Sequence, residues 1–153
     1  MATAATKTTT VQETLNQQVA NWTVMFTKLH NYHWYVTGEN FFDLHEKFEE
    51  MYNYAGEKLD ELAERILALQ GNPVATLKEC LAISTIDEAS GGETSKQMLK
   101  QLLKDFDQLV SELKAAIKVT EKEEDDSTAD LYIQIIADLQ KNTWMLRAYA
   151  GSK

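Results

Sequence analysis

Two histidines and three carboxylates stand out by type and spacing. His45 and Glu49 lie four residues apart, and so do Asp60 and Glu64; that interval stacks side chains on one face of a helix. Glu49 and Asp60 are eleven residues apart, a rotation of about 1,100°, which passes three full turns by only about 20°. All four therefore share one stripe of one helix. Imidazoles mixed with carboxylates suit Fe(II), Mn(II) or Zn(II). One copy of the stripe cannot close around an ion: Glu49 and Asp60 are about 16 Å apart along the axis, and His45 and Glu64 about 28 Å, against metal–ligand bonds of about 2 Å. The two pairs are nonetheless symmetric about the same point, between residues 54 and 55. A second copy packed antiparallel across a two-fold axis there would bring His45 to the partner's Glu64 position and Glu49 to its Asp60 position. Two equivalent clusters, about 20 Å apart, would result. His33 can reach in from the preceding helix. The alternative is a solvated charged face, which is common on helices, and spacing alone leaves both open.

The elements that must position these residues follow from a helical period. Val11, Leu15, Val19, Trp22, Phe26 and Leu29 mark one face of a first helix, expected to stop near Gly38. Asn40 is a suitable cap for the next helix and Asp43 suits its first turn. Leu44, Phe48, Met51, Ala55, Leu59, Leu62, Ile66 and Leu69 carry that helix to a stop at Gly71 and Pro73. Residues 70–93 form a long connection, in which Thr76 and Glu79 are spaced as a capping box that opens a short helix. Ser90, Gly91 and Gly92 break it, and Thr94 with Gln97 forms a second box. The third long helix carries Leu99, Leu102, Phe106, Leu109, Leu113 and Ile117; a fourth starts near Ser127 with Leu131, Ile135, Leu139 and Leu146, ending at Gly151. The expected fold is all-α: a ferritin-like four-helix bundle with a long second-to-third helix crossover containing a short helix. Residues 1–10 read as a flexible, Thr-rich tail and 11–151 as a single domain.

Composition narrows the function classes. The chain has 153 residues, six Gly and one Pro, and a net charge of −9. So few breakers argue against an all-β fold. The acidic balance favours metal cations and opposes phosphate backbones. One cysteine, Cys80, excludes an internal disulfide and a cysteine-based zinc site. No signal-like segment or 18-residue apolar stretch appears, so the expectation is a cytoplasmic protein with no membrane partner.

The segment His33-Trp34-Tyr-Val-Thr-Gly38-Glu-Asn-Phe41-Phe42-Asp-Leu44-His45-Glu46, followed by Asp60-Glu-Leu-Ala63-Glu64-Arg65, resembles the signature of the Dps-like miniferritins, and in particular their Gram-positive branch that does not bind DNA. The resemblance covers nearly the whole chain after the tail. It implies a shell of twelve subunits with iron-oxidising centres between two-fold-related subunits. The matching catalytic and metal ligands are His33, His45 and Glu49 from one subunit, and Asp60 and Glu64 from its partner. Many family members carry Asp at the Glu49 position, and Glu reaches one methylene further. The family typically oxidises Fe(II) with hydrogen peroxide and stores a ferric mineral; zinc or manganese can substitute for iron. Trp34 is a possible electron donor, with a packed core aromatic as the other reading. The family also implies pores at three-fold axes that admit ferrous ions, lined here by Glu121, Asp126 and Asp130. His30 matches no ligand. Larger ferritins match less well, because their sites use Glu-x-x-His and no Glu precedes any histidine here by three residues.

Two other classes remain to be separated from the oxidase. A nucleoid packaging protein needs cations, yet the tail holds only Lys7, so DNA binding is not expected at ordinary salt. A strong gel shift at low salt, fading as salt rises, would mark such a protein. A shell without a useful metal centre would fail to oxidise Fe(II).

Overall fold

The computed structural model describes residues 7–151, which places the first six residues of the expected tail outside the described region. Five helices follow in order: α1 (Val11–Tyr35), α2 (Phe41–Ala68), α3 (Leu77–Ile83), α4 (Ser95–Lys122) and α5 (Asp126–Tyr149), with no strand among the described residues. Helix α1 packs along α2 and α4 along α5, with the short α3 of the crossover lying against α1. Leu15, Trp22 and Leu29 from α1 meet Leu44, Phe48 and Ile66 from α2, Leu102, Phe106 and Leu109 from α4, and Tyr132, Ile135 and Leu139 from α5 in one buried core. The all-helical, ferritin-like architecture expected from the period is the one observed.

The ends of the helices show which local signals acted. Thr10, Thr76 and Thr94 each close a capping box, with Glu13, Glu79 and Gln97 respectively. Asn40 occupies the N-cap of α2 but makes no side-chain cap bond. The turn is instead closed by the backbone, Phe41 N–H donating to the Gly38 carbonyl at 3.1 Å, with Gly38 at φ 107°. Helix α1 accordingly ends at Tyr35, three residues before that glycine. At the end of α2, Gln70 rather than Gly71 takes the left-handed conformation, at φ 63°. Gly71 then donates to the Ile66 carbonyl at 2.9 Å, a Schellman-type closure. A Cβ at Gly71 would lie 2.4 Å from Gln12 Oε1 and 3.0 Å from Ile66 Cγ2, so its role is close approach between α1 and α2.

Phe26 departs from the expected core face: it is 36% exposed. Its ring lies over Gly56, where a Cβ would come within 3.1 Å of it, and it covers the edge of the helix pair instead of entering the core.

The acidic junction between α4 and α5 is partly structural. Glu123 accepts from the Val11 N–H at 2.7 Å, which caps α1 from the far side of the bundle. Asp125 accepts from Thr128 N–H and Oγ1 and pairs with Arg65 of α2 at 2.9 Å. Burial pushes the Asp125 carboxyl up, but the Thr128 and Arg65 contacts outweigh it, and the net shift is below the usual range. Its stabilisation is present above the ordinary carboxylate pKa and is lost as pH falls through the lowered one.

Lys28 and Asp105 form an ion pair of 2.6 Å between α1 and α4, with side chains 1% and 4% exposed. Lys28 also donates to the Asp87 carbonyl at 2.9 Å, and Gln101 donates to Asp105 at 2.8 Å. The pair therefore joins two helices and the crossover at one buried point.

Candidate metal centre

His33 sits in the last turn of α1 and His45 in the first turns of α2. The short connection folds the two helices back so that the imidazoles stack, with centroids 3.7 Å apart and planes at 14°. Nδ1 of His33 donates to the His45 carbonyl at 2.7 Å, and Nδ1 of His45 donates to the His33 carbonyl at 2.7 Å. A carbonyl only accepts, so each Nδ1 carries the proton. In the neutral ring the lone pair is then at Nε2, and both rings offer that nitrogen to a metal. Anchoring of the non-ligating nitrogen is the usual way a protein fixes tautomer and ring orientation at a metal. His33 is buried and His45 half-buried. Phe41 stacks on the outer side of His45 at 5.0 Å.

Glu49, Asp60 and Glu64 all lie on α2 and are exposed. None of the hydrogen bonds or ion pairs among the described residues engages them, so the stripe faces away from its own bundle. The chain brings His33 and His45 together and leaves Glu49, Asp60 and Glu64 apart from them. Among the described residues, no group of three or more His, Cys, Asp or Glu comes together within the chain.

Trp34 is 67% exposed, which excludes the core-aromatic reading within the single chain. Its indole lies 5.3 Å from the ring of His30. His30 is neither isolated nor core: its Nδ1 donates to the Phe26 carbonyl at 2.7 Å, and its ring stacks on Tyr52 at 3.7 Å. Tyr52 in turn meets the ring of His33 edge-on at 5.2 Å and 86°. Sequence reasoning passed over Tyr52, although its place seven residues after His45, two helical turns on, was a usable signal.

Glu121 lies in the last turn of α4, Asp126 opens α5, and Asp130 follows one turn later; all three are exposed. Glu123 and Asp125 are committed to capping, whereas no hydrogen bond or ion pair among the described residues engages the side chains of Glu121, Asp126 or Asp130. Cys80 is the buried residue of α3.

Comparison with known proteins shows what the chain as a whole is similar to. A ferritin-like domain matches residues 12–152. The DNA protection during starvation protein 2 of Bacillus anthracis is 52% identical over 139 residues, covering 91% of this chain and 95% of that protein. The crystal structure of Dps from Staphylococcus aureus superposes with a TM-score of 0.89 at 51% identity, over 91% of this chain and 93% of that one. Dps from Listeria innocua, in crystals soaked with zinc, gives a TM-score of 0.89 at 43% identity, over 93% and 97% of the two chains.

Proposed function

The chain belongs to the Dps family of ferritin-like proteins, and we propose that it oxidises Fe(II) at centres shared between two-fold-related subunits and stores the ferric product. The observation that carries this reading is the reciprocal bonding of His33 and His45, which leaves two Nε2 lone pairs free on a chain whose α2 also carries an exposed carboxylate stripe. His33, His45 and Glu49 of one subunit bind iron together with Asp60 and Glu64 of the next. Imidazole favours the ferrous substrate, and the carboxylate majority favours the hard ferric product. Zinc or manganese would occupy the same ligands without the same turnover.

Hydrogen peroxide accepts two electrons, and two ferrous ions at one centre supply them together, so no one-electron reduction releases a hydroxyl radical. Twelve subunits enclose the mineral, and Glu121, Asp126 and Asp130, whose side chains have no partner among the described residues, ring the pores that draw cations inward. Trp34, exposed beside the site, is available as an electron donor. The protein works in the cytoplasm; no helix among the described residues is long and apolar enough to cross a membrane. DNA packaging is not its role, since the one tail cation, Lys7, lies 2.6 Å from Glu13 on an acidic body.

Sharing of the centre is tested by complementation. Shells of His33→Ala/His45→Ala subunits should be inactive, and so should shells of Asp60→Ala/Glu64→Ala subunits. Refolded together in equal amounts, they should regain about a quarter of the wild-type ferrous oxidation, because one centre in four then draws every ligand from an intact half. The native mass should be about 209 kDa, twelve times 17.4 kDa. A mixture that stays as inactive as its parents would refute shared centres.

A further inference from the structure

We propose that Arg65 is a positioning residue for the metal centre: it ties the end of α2 to the start of α5 and so holds the carboxylates Asp60 and Glu64 where metal binding requires them. The proposal rests on the functional reading above and adds a residue that does not touch the metal. Arg65 follows Glu64 directly and lies five residues after Asp60. Its Nε donates to Thr128 Oγ1 at 2.9 Å, and a terminal nitrogen of the same guanidinium donates to Asp125 Oδ1 at 2.9 Å. Thr128 in turn donates to Asp125 through its N–H, at 3.0 Å, and its hydroxyl, at 2.6 Å. Asp125 N–H donates to the Thr120 carbonyl at 2.9 Å, and Thr120 and Thr128 are both fully buried. The guanidinium is therefore held by a closed ring of bonds anchored to α4 and α5 together. A planar fork with two of its donors engaged keeps little rotational freedom.

The carboxylates have no such hold of their own. The side chains of Asp60 and Glu64 are exposed and engage no partner among the described residues, so their positions are inherited from the backbone of α2. Leu62 and Ile66 pin one side of that backbone in the core. Consecutive residues on a helix point about 100° apart, so Arg65 grips the flank between that core side and Glu64. A second tie lies eleven residues earlier, where the Tyr54 hydroxyl donates to Asp138 of α5 at 2.8 Å. Asp60 and Glu64 fall between the two ties, which together fix the rotation of α2 and its slide along α5. Loss of the Arg65 tie frees the last turns of the helix, the ones that carry Glu64. A centre shared between two chains tolerates little such play, because its ligands must meet within about 0.5 Å of the productive geometry.

The test reads metal affinity rather than turnover. Metal-free assembled protein is titrated with Co(II), whose visible d–d bands report the ligands around it. The bands should be absent when His33 and His45 are both replaced by alanine, which assigns them to the centre. Arg65→Met should weaken Co(II) binding about tenfold, the low end for groups that support metal ligands without touching the metal, and alter the band shape. The sign is diagnostic, since removing a cation beside Glu64 would by charge alone tighten binding. Asp125→Asn still caps α5 but offers Arg65 no charge. It should also weaken binding, and the two losses should not add in the double variant, as expected for two ends of one contact. Ile135→Val thins the core on α5 without changing a polar contact; it should lower the melting temperature and leave Co(II) affinity unchanged. Unaltered or tighter binding in Arg65→Met, additive losses in the double variant, or an equal loss in Ile135→Val would overturn the proposal and leave the oxidase reading standing. Bands that persist without His33 and His45 would instead overturn the oxidase reading and the proposal with it.

Discussion

Replacing His33 and His45 together by alanine is expected to slow ferrous oxidation by ~100-fold or more while leaving the helices and the assembly in place. Disturbing only the groups that orient metal ligands costs 10–100-fold, and this change removes two ligands outright. The two residues also act as a unit. Each ring donates its Nδ1 proton to the other residue's carbonyl, so a single variant leaves the remaining histidine's own carbonyl without its donor and loosens the connection that holds the remaining ring. Single variants should therefore lose nearly as much as the double, the non-additivity expected of coupled groups. The site closes a surface turn, outside the main core built around Trp22, Phe48, Phe106 and Tyr132, so the cost to the fold stays small. Absorbance of the ferric product after anaerobic addition of peroxide reads the rate, and native mass reads the assembly. Oxidation should also fall in acid, because protons compete with the metal for imidazole nitrogen. Unchanged kinetics in the double variant would remove the basis for placing iron at these histidines.

The stripe on α2 was legible because it depends only on helical period: His45, Glu49, Asp60 and Glu64 fall in line whatever surrounds them. The three Thr capping boxes were legible for the same local reason. The stacking of His33 on His45 was not, since it depends on a connection of five residues folding α1 back onto α2. There the expected side-chain cap at Asn40 gave way to a backbone bond at Gly38. Tyr52 and His30 were missed because an aromatic between two rings has no spacing rule of its own. The acidic junction showed the limit of composition: of the carboxylates in residues 121–126, Glu123 and Asp125 serve as caps, whereas Glu121 and Asp126 engage no side-chain partner among the described residues. Only the three-dimensional position of Val11 and Arg65 decides which is which. Lys28 was hidden for a related reason, since a lysine on an amphipathic helix ordinarily points to water.

That lysine leads to the largest expected effect on stability. Lys28→Met should destabilise the fold by ~3–5 kcal/mol, the cost of leaving a buried charge without its partner. Asp105 would keep its bond from Gln101 but face no cation, and the Asp87 carbonyl would lose its donor. Against a total stability of roughly 5–15 kcal/mol for a domain, that is a large fraction, and the melting temperature should drop by about 10 °C. Adding Asp105→Leu to Lys28→Met should recover most of the loss, because a buried pair exchanged for apolar side chains of similar volume is often neutral. The comparison separates two roles. If the double variant regains both stability and ferrous oxidation, the pair is one of several ways to fill the gap between α1 and α4. If it regains stability but oxidises iron slowly, the ion pair also fixes α1. Lys28 lies five residues before His33 on that helix, so a shift of α1 there would misplace the imidazole at its far end. Thermal unfolding of wild type and the two variants, with oxidation rates on the same samples, distinguishes the cases; a single Lys28→Met variant as stable as wild type would show that the charge of Asp105 is solvated in a way its 4% exposure does not allow.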